Sequence, residues 1–436
     1  MPRAFWLPLL LTAFLLAACS GPLQAPQVES IEFDGYEATI ELADVSVSAL
    51  HAVQCGDAVT LLVTLHAGRL FGAEYAFYLP LHEFWNGDLV LFAHGYLPPS
   101  LEPGFPEELP EELVQLQCFL LGQGFALGAS SYAANGYAVQ EGMRDTHLLN
   151  ALFRWHTHLE PARTYLVGQS MGALIAVGLV ETFPHRYDGA LPICGPVGGS
   201  LLQLSYVGHV RVLAGYFFPT LFPGAPFTEP AIPHTDFAAF ADTVAWHAFS
   251  NPDALRKLAS IRQPGSDLLV PGGVPLLPGR GDEELTQSLI SALYYYVVGI
   301  QDVLARGGGV PFGNRLVTYV GSELTPLETL RLNRSVARVR ADPRALLYWT
   351  LWYQPSGQLR RPVISLHTAL DPDVPVLHEA AYAQLVARAG AGDRLVTVVT
   401  PAYGHCNFDL EREVGPAFLG LTQWAQTGIR PQLPLP

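Results

Sequence analysis

The amino-acid sequence predicts an α/β protein: a mostly parallel sheet with helices on both faces, an N-terminal β extension and a large helical insertion. Three observations lead to this prediction. Short stretches that alternate apolar and polar residues come first, apolar runs of strand length then alternate with helical stretches, and one long helical stretch interrupts that alternation. The chain has 436 residues, of which half are apolar and only 14% are charged, so it can bury a sizeable core. Its net charge of -15 argues against nucleic acid as a partner, because phosphate backbones bind positive surfaces.

The N-terminal residues have the pattern of a signal peptide. Arg3 precedes the apolar run 4–16, which is too short to span a membrane comfortably, and small residues follow it. The sequence Leu-Ala-Ala-Cys that ends at Cys19 resembles a bacterial lipobox, in which the cysteine thiol is acylated. We therefore expect residues 1–18 to be removed, Cys19 to carry a lipid, and residues 19–30 to tether an exported protein to the membrane, on the periplasmic or cell-surface side.

The elements that follow justify the fold prediction in chain order. Residues 31–80 alternate in short stretches and predict the β extension. Residues 81–199 predict the first part of the core, with strands at 88–93, 124–130, 164–167 and 190–193 and helices at 107–122, 139–159 and 171–183. Residues 200–355 are mostly helical and rich in aromatic side chains, and they predict the insertion. Residues 356–436 predict the rest of the core, with strands at 361–366 and 394–400 and helices at 376–389 and 413–426.

Four cysteines remain once Cys19 is set aside, namely Cys55, Cys118, Cys194 and Cys406. In an oxidising compartment they permit two disulfides, and the sequence leaves the three pairings open. Their spacing matches no metal site, and we expect neither a metal nor another cofactor.

The segment Gly168-Gln169-Ser170-Met171-Gly172 has the form G-x-S-x-G and lies between a predicted strand and a predicted helix. A serine on such a sharp turn is pushed out over the edge of the sheet, where the N-terminus of the following helix favours developing negative charge. The small residues two positions before and after the serine make this turn sterically allowed. The motif therefore predicts Ser170 as a nucleophile.

A nucleophilic serine needs a base and an orienting carboxylate. His405 follows the last predicted strand, C-terminal to the serine, and is the expected general base. Asp371 and Asp373 both follow the strand 361–366 and therefore face the same rim of the sheet. We favour Asp371 as the triad acid and interpret Asp373 as a turn or helix-capping residue. Three histidines on the predicted helix 139–159 are expected at the surface: His147, His156 and His158.

Acyl transfer also needs hydrogen-bond donors for the oxyanion. The backbone N–H of Met171, the residue after the nucleophile, is one candidate. The second is expected after the strand 88–93, where Gly95 or Tyr96 can supply a backbone N–H.

With these residues in this order, the chain resembles the α/β-hydrolase superfamily over roughly 81–199 and 361–424. The resemblance implies that the insertion 200–355 is a cap over the active site. The segments Trp85-Asn86-Gly87 and His405-Cys406 are also similar to tannase and feruloyl-esterase-type secreted hydrolases. That group pairs a cysteine before its serine with the cysteine after its histidine. Here Gln169 precedes the serine, so the resemblance implies another partner for Cys406, and Cys194 is our hypothesis.

The sequence leaves three functions open. The first is hydrolysis of a small-molecule carboxylic ester through a Ser–His–Asp acyl-enzyme route. The second is an exopeptidase, for which glutamates of the insertion could bind a peptide terminus, namely Glu283, Glu284, Glu323 and Glu328. The third is a lipid-anchored binding protein that keeps the fold without the chemistry. The complete triad order favours the first.

Overall fold

The computed structural model describes residues 28–41, 45–56, 59–222, 224–262 and 281–433. The predicted signal peptide, Cys19 and most of the predicted tether lie outside these residues.

The strands and helices follow one another in the predicted alternation. The strands are β1 (Val28–Phe33), β2 (Tyr36–Glu41), β3 (Val45–Cys55), β4 (Val59–Leu70), β5 (Ala73–Pro80), β6 (Asp88–Ala93), β7 (Ala126–Ser130), β8 (Arg163–Gln169), β9 (Gly189–Ile193), β10 (Ile261–Arg262), β11 (Val320–Gly321), β12 (Val363–Leu370) and β13 (Leu395–Tyr403). The helices are α1 (Glu111–Gly122), α2 (Val139–Thr157), α3 (Met171–Thr182), α4 (Ser200–Phe217), α5 (Phe237–Ser250), α6 (Pro252–Ser260), α7 (Asp282–Gly307), α8 (Pro326–Ser335), α9 (Pro343–Tyr353), α10 (Leu377–Arg388) and α11 (Gly415–Thr427). Helix α1 begins later than predicted because Pro110, which cannot donate a hydrogen bond inside a helix, stands at its N-cap.

Nine strands form the central sheet, in the order β13-β12-β9-β8-β6-β7-β5-β4-β3. The six strands from β13 to β7 are parallel, and β5, β4 and β3 continue the sheet in antiparallel fashion. From β3 onward, the β extension predicted for 31–80 thus continues the central sheet at one edge, whereas β1 and β2 pair with each other in a separate two-stranded sheet. Along the chain, β7 is added on one side of β6 and β8 on the other. The carboxyl ends of β6 and β8 therefore form a topological switch point, where α/β sheets bind ligands.

Apolar side chains alternate between the two faces of the parallel strands. On β6, Leu89 and Leu91 pack into one cluster with α2 and α3, whereas Val90 faces the other cluster with α1 and α11. All three side chains are fully buried. Strands buried on both faces read as continuous apolar runs, which is why the sequence indicates these strands clearly.

Helices α4 to α9 lie between β9 and β12 and form the predicted helical insertion, which we call the cap. Its central helix, α7, packs against α4, α5, α6 and α9. Helix α7 is long and apolar enough to cross a membrane by length and composition, and more than half of its most apolar window is buried inside the protein. Burial among the other cap helices accounts for this apolar character.

Arg306, near the end of α7, links the cap to the core. Its guanidinium donates hydrogen bonds to Glu141 on α2 at 2.8 and 3.0 Å, to Asp302 at 2.8 and 3.0 Å, and to the carbonyl of Asn135 at 3.0 Å. The side chains of this ion-pair network are largely buried. Asp302 also accepts a hydrogen bond from the backbone N–H of Tyr137, a core residue. The network therefore fixes the cap helix over the core.

Replacing this arginine is expected to destabilise the protein. In Arg306→Ala the carboxylates of Glu141 and Asp302 lose their shared cation while they stay largely buried, and we expect a loss of about 2 kcal/mol in the free energy of unfolding. Chemical denaturation followed by circular dichroism measures it. The control is Arg256→Ala, because Arg256 forms an exposed ion pair with Asp282 and should leave the denaturation midpoint nearly unchanged. Equal midpoints for both variants would contradict the role given to Arg306.

The hairpin formed by β1 and β2 packs against α2 and buries a histidine that the sequence places at the surface. Asp34, at the hairpin turn, accepts hydrogen bonds from Arg186 at 2.7 and 2.9 Å and lies 3.3 Å from Nε2 of His147. His147 is fully buried and its Nδ1 bonds to the Tyr187 hydroxyl at 2.8 Å. The surface prediction for His147 was wrong, because the hairpin covers this face of α2. His156 is also partly buried, with its Nε2 2.9 Å from the Tyr75 hydroxyl, whereas His158, directly after α2, is exposed as predicted.

Candidate active site

Ser170 lies on a strained turn between β8 and α3. Its backbone has φ 54° and ψ -123°, a conformation that side chains rarely adopt. A Cβ at position 168 would overlap the carbonyl of Gly172, and a Cβ at position 172 would overlap the carbonyl of Ala93. Glycine is therefore required at both places, as the G-x-S-x-G pattern indicates. The turn presents the serine side chain at the switch point of the sheet.

The structure brings Ser170, His405 and Asp371 together in one hydrogen-bonded chain. Nε2 of His405 lies 2.8 Å from Ser170 Oγ, and Nδ1 of His405 lies 2.7 Å from Asp371 Oδ2. The other carboxylate oxygen of Asp371 accepts the backbone N–H groups of Asp373 and Val374 at 2.8 and 2.9 Å. The Asp371 carboxylate is thus held in place from both sides. This is the arrangement that serine hydrolases use to activate a serine hydroxyl.

Asp373 has a different position from the one that the sequence suggests. Its Oδ2 accepts a hydrogen bond from the hydroxyl of Tyr295, on cap helix α7, at 3.3 Å. It forms no hydrogen bond with His405. Burial raises the pKa of Asp373. Asp373 therefore connects the loop after β12 to the cap. Of the two aspartates, only Asp371 bonds to the histidine. The sequence could not show this, because the partner lies 78 residues away.

The residues proposed as oxyanion donors lie close to Ser170. Met171 is the first residue of α3, and the first N–H groups of a helix have no intrahelical partner. The loop after β6 passes close by: a Cβ on Gly95 would lie 3.1 Å from Ser170 Cβ and 3.7 Å from Ser170 Oγ. The backbone of this loop therefore lies next to the nucleophile. Both residues of this loop stay candidates for the second donor.

Tyr132 supports this loop, and sequence reasoning missed it. Its ring stacks on His94 with centroids 3.8 Å apart, and its hydroxyl donates a hydrogen bond to the His94 carbonyl at 3.2 Å. Tyr132 is fully buried and follows β7 in a left-handed backbone conformation with φ 58°. Its position two residues after a buried strand was the available signal. Tyr132 thus positions the residue that precedes the proposed oxyanion donors.

Two disulfides lie in the described part of the chain. One joins Cys194, directly after β9, to Cys406, directly after His405, with the Cα atoms 5.2 Å apart. The other joins Cys55 and Cys118. The first ties the loop that carries His405 to a strand end beside Ser170, whose backbone N–H donates to the carbonyl of Ile193 at 2.9 Å. Since both sulfurs of this pair are bonded to each other, they offer no thiolate to a metal beside His405.

The surroundings of His405 predict an alkaline activity profile. Burial lowers the pKa of His405, but the charge and hydrogen bond of Asp371, together with the charge of Asp373, outweigh burial and raise it to about 9. The histidine accepts a proton only in its neutral form, so we expect kcat/KM to rise with pH, with a midpoint well above the ordinary value of 6.5. A pH–rate profile measures this. A profile that is already flat above pH 6.5 would contradict it.

Comparisons with known proteins accompany this geometry. No protein-family model matches the chain, and no curated protein matches it in sequence. Among solved structures, the chain is similar to feruloyl esterase B from Aspergillus oryzae, with 14% identity, a TM-score of 0.47 and coverage of 90% of this chain and 89% of that one. It is also similar to an esterase from Aspergillus oryzae, with 12% identity, a TM-score of 0.46 and coverage of 90% and 88%. A third is Candida antarctica lipase A, with 14% identity, a TM-score of 0.43 and coverage of 88% and 83%. The sheet order and the nucleophile turn of the chain itself are those of the α/β-hydrolase fold.

Proposed function

We propose that the protein is a serine hydrolase that cleaves a carboxylic ester without a cofactor. Ser170 Oγ attacks the ester carbonyl while Nε2 of His405 accepts its proton. The tetrahedral intermediate collapses to an acyl-enzyme, and the imidazolium returns the proton to the leaving alcohol. Water then attacks the acyl-enzyme with the same histidine as base, which releases the acid and restores Ser170.

The observation that carries this proposal is the continuous chain from Ser170 through His405 to Asp371. A hydroxyl is a weak nucleophile unless a base removes its proton, and the base works only in the tautomer with Nε2 free. Asp371 accepts a hydrogen bond at Nδ1 and therefore favours that tautomer. In this proposal Met171 and either Gly95 or Tyr96 supply the N–H groups that stabilise the oxyanion.

The residues around the nucleophile favour an ester over a peptide with a charged terminus. Among the described residues, those lining the cavity at Ser170 carry no charged side chain. The glutamates considered for an exopeptidase lie elsewhere in the cap. Glu284 caps α7 by accepting the N–H of Gly281, and Glu328 bonds to Lys257. The cavity therefore offers no ion pair for an amino or carboxyl terminus.

Covalent labelling combined with turnover tests this proposal. The full-length protein, purified in detergent, should release p-nitrophenol from short acyl esters, and a fluorophosphonate should abolish this activity in proportion to labelling. Mass spectrometry should locate the label on Ser170. Labelling of Ser170 without turnover of any ester would favour peptides as the substrates. Neither label nor turnover would contradict the enzyme and favour a binding protein of the same fold.

We also propose that the protein is exported and anchored in a membrane through Cys19, with the body on the periplasmic or cell-surface side. The Leu-Ala-Ala-Cys sequence supports this, and so do the two disulfides, which form and persist in oxidising compartments. Wild-type protein expressed in bacteria should partition into detergent and carry acyl chains detectable by mass spectrometry. Cys19→Ala should abolish both properties, and an unchanged partition would contradict the anchor.

A further inference from the structure

An outward surface of the cap combines exposed leucines with exposed arginines. It is formed by helix α8 and by the loop before β11, and we call it the leucine–arginine surface. Its members are Arg315, Leu316, Leu327, Leu330, Arg331 and Arg334. The loop and the helix lie side by side, because Leu316 and Leu330 line the same cleft. None of the six residues borders the cavity at Ser170, so this surface is separate from the proposed active site.

Helix α8 turns leucines outward. Four of its residues follow the spacing i, i+3, i+4 and i+7 and therefore lie along one side of the helix, and all four are exposed, namely Leu327, Leu330, Arg331 and Arg334. Leu332, by contrast, is fully buried. Leu327 is 55% exposed and Leu330 is 46% exposed, and the neighbouring Leu316 reaches 99%. Exposed apolar side chains that adjoin one another are typical of a contact surface rather than of an ordinary solvated helix.

The loop that carries Leu316 is fixed against α8. The guanidinium of Arg338 donates hydrogen bonds to the carbonyls of Asn314 at 2.8 Å and Val317 at 2.6 Å, on either side of Leu316. The same guanidinium donates to the carbonyl of Asn333, near the end of α8, at 2.8 Å. Leu316 is therefore presented to the outside by a loop whose backbone is tied to the helix.

The charge of this region is opposite to that of the whole chain. The protein has a net charge of -15, but residues 315–344 contain six arginines against three acidic residues. Two of those acids are already engaged, since Glu328 bonds to Lys257 and Asp342 caps α9. The three arginines of the leucine–arginine surface form no ion pair with a described residue. The surface is therefore positively charged and complementary to an anionic partner.

A lipid bilayer satisfies both kinds of side chain at once. A soluble anion would bind the guanidinium groups and leave the leucines in water. At an anionic bilayer the arginines reach the lipid phosphates, while the leucines enter the layer between the headgroups and the acyl chains. The combination of the two residue types on one surface therefore favours a membrane over a free phosphate or a purely acidic ligand.

We propose that the leucine–arginine surface binds the surface of an anionic lipid bilayer. The inference goes beyond the esterase chemistry, and it adds an orientation to the proposed anchor at Cys19. Nine residues, 19–27, separate that cysteine from β1, and fully extended they span at most about 30 Å. The anchor would keep the protein near the bilayer, and the leucine–arginine surface determines that α8 of the cap faces the lipid.

Chemical modification of arginine tests this orientation on the full-length protein. The protein is reconstituted in nanodiscs of phosphatidylcholine alone, or of equal parts of phosphatidylcholine and phosphatidylglycerol, and treated with phenylglyoxal. Peptide mass spectrometry then follows each arginine separately. We expect Arg315, Arg331 and Arg334 to react about tenfold more slowly on the anionic discs, and high salt should remove most of the difference.

Two other arginines serve as internal controls. Arg360 and Arg388 are also exposed and form no ion pair with a described residue, but they line a different cleft. Arg360 precedes β12, so it lies toward the end of the parallel sheet opposite to Ser170 and the cap. Both should react at the same rate on neutral and on anionic discs.

A matched pair of double variants tests the leucines. Leu316→Asp with Leu330→Asp places two negative charges where the leucines are proposed to meet lipid, and it should abolish the protection of Arg331 and Arg334. Leu50→Asp with Leu62→Asp makes the same change at exposed leucines of β3 and β4 and should leave that protection intact. All four positions are exposed, so both variants should hydrolyse a soluble p-nitrophenyl ester at the wild-type rate.

The outcomes separate this inference from the anchor and from the enzyme. Equal modification of the three arginines on both kinds of disc would overturn the inference, and co-elution of the protein with the discs would still support the anchor. Protection that is equally strong in detergent would also overturn it, because another part of the chain would then cover the surface. Binding to anionic discs alone, with the three arginines protected, would support the inference and count against the anchor. Ester hydrolysis reports on the proposed function independently of all three results.

Discussion

Replacing Ser170 by alanine is expected to reduce kcat by on the order of 10⁶. The acyl-enzyme forms through Ser170 Oγ, which lies 2.8 Å from Nε2 of His405, and no other described serine has this contact with the histidine. Turnover of a p-nitrophenyl ester measures the loss. Because the elbow keeps its backbone when only the oxygen is removed, the variant should unfold at nearly the wild-type denaturant concentration.

The control is Ser250→Ala, at the exposed end of α5, which should keep full activity. The fluorophosphonate that labels the wild-type protein should leave Ser170→Ala unlabelled. Activity of Ser170→Ala within about tenfold of the wild type would show that another group performs the chemistry, since losing a nucleophile costs far more than that.

The second large effect is expected for Asp371→Asn, a loss of about 10⁴ in kcat. An amide in this place can donate to Nδ1 of His405, and the ring would then carry its proton on Nε2. In that tautomer Nε2 cannot accept the serine proton. Asp373→Asn should cost much less, within about tenfold, because Asp373 bonds to Tyr295 and not to the histidine. Both variants replace an aspartate by the isosteric asparagine, so they form a matched pair.

The pH–rate profile distinguishes an electrostatic role from a purely structural one. Removing the carboxylate charge at Asp371 takes away the main influence that raises the pKa of His405 against burial. The residual activity of Asp371→Asn should therefore reach its plateau at a lower pH than that of the wild type. A large loss in Asp373→Asn with a small one in Asp371→Asn would instead identify Asp373 as the triad acid.

The parallel core and the three hydrogen-bonded site residues could be predicted from the sequence because they depend on local patterns. The apolar strands read directly as buried segments, the glycines around Ser170 mark a turn that tolerates no side chains, and the chain order of Ser170, Asp371 and His405 places all three at one rim. Strand β12 extends to Leu370, four residues beyond the predicted strand, and this brings Asp371 to the strand end.

The parts that escaped prediction depend on contacts between distant segments. The pairing of β5 with β7, which attaches the N-terminal strands to the sheet, leaves no mark in either strand alone. His147 reads as a surface residue until the β1–β2 hairpin covers it. The packing of the Tyr96 side chain depends on Gly299, about two hundred residues later, because a Cβ there would overlap the Tyr96 hydroxyl. Each of these features is a product of tertiary packing rather than of periodicity.

The disulfide between Cys194 and Cys406 makes the cap part of a closed covalent ring, with a sequence separation of 212 residues between its ends. Ser170 lies before this ring, and His405 lies just inside its far end. A single cut by a protease within the cap would therefore give two polypeptides, one with the nucleophile and one with the base, that stay bonded beside the active site. Such a protein would run as one species on a non-reducing gel and as two after reduction. A thiol reagent that reduces this disulfide would leave the two fragments of the cut protein without a covalent link, so their activity would depend on the reagent. The uncut chain would keep its covalent link in any case.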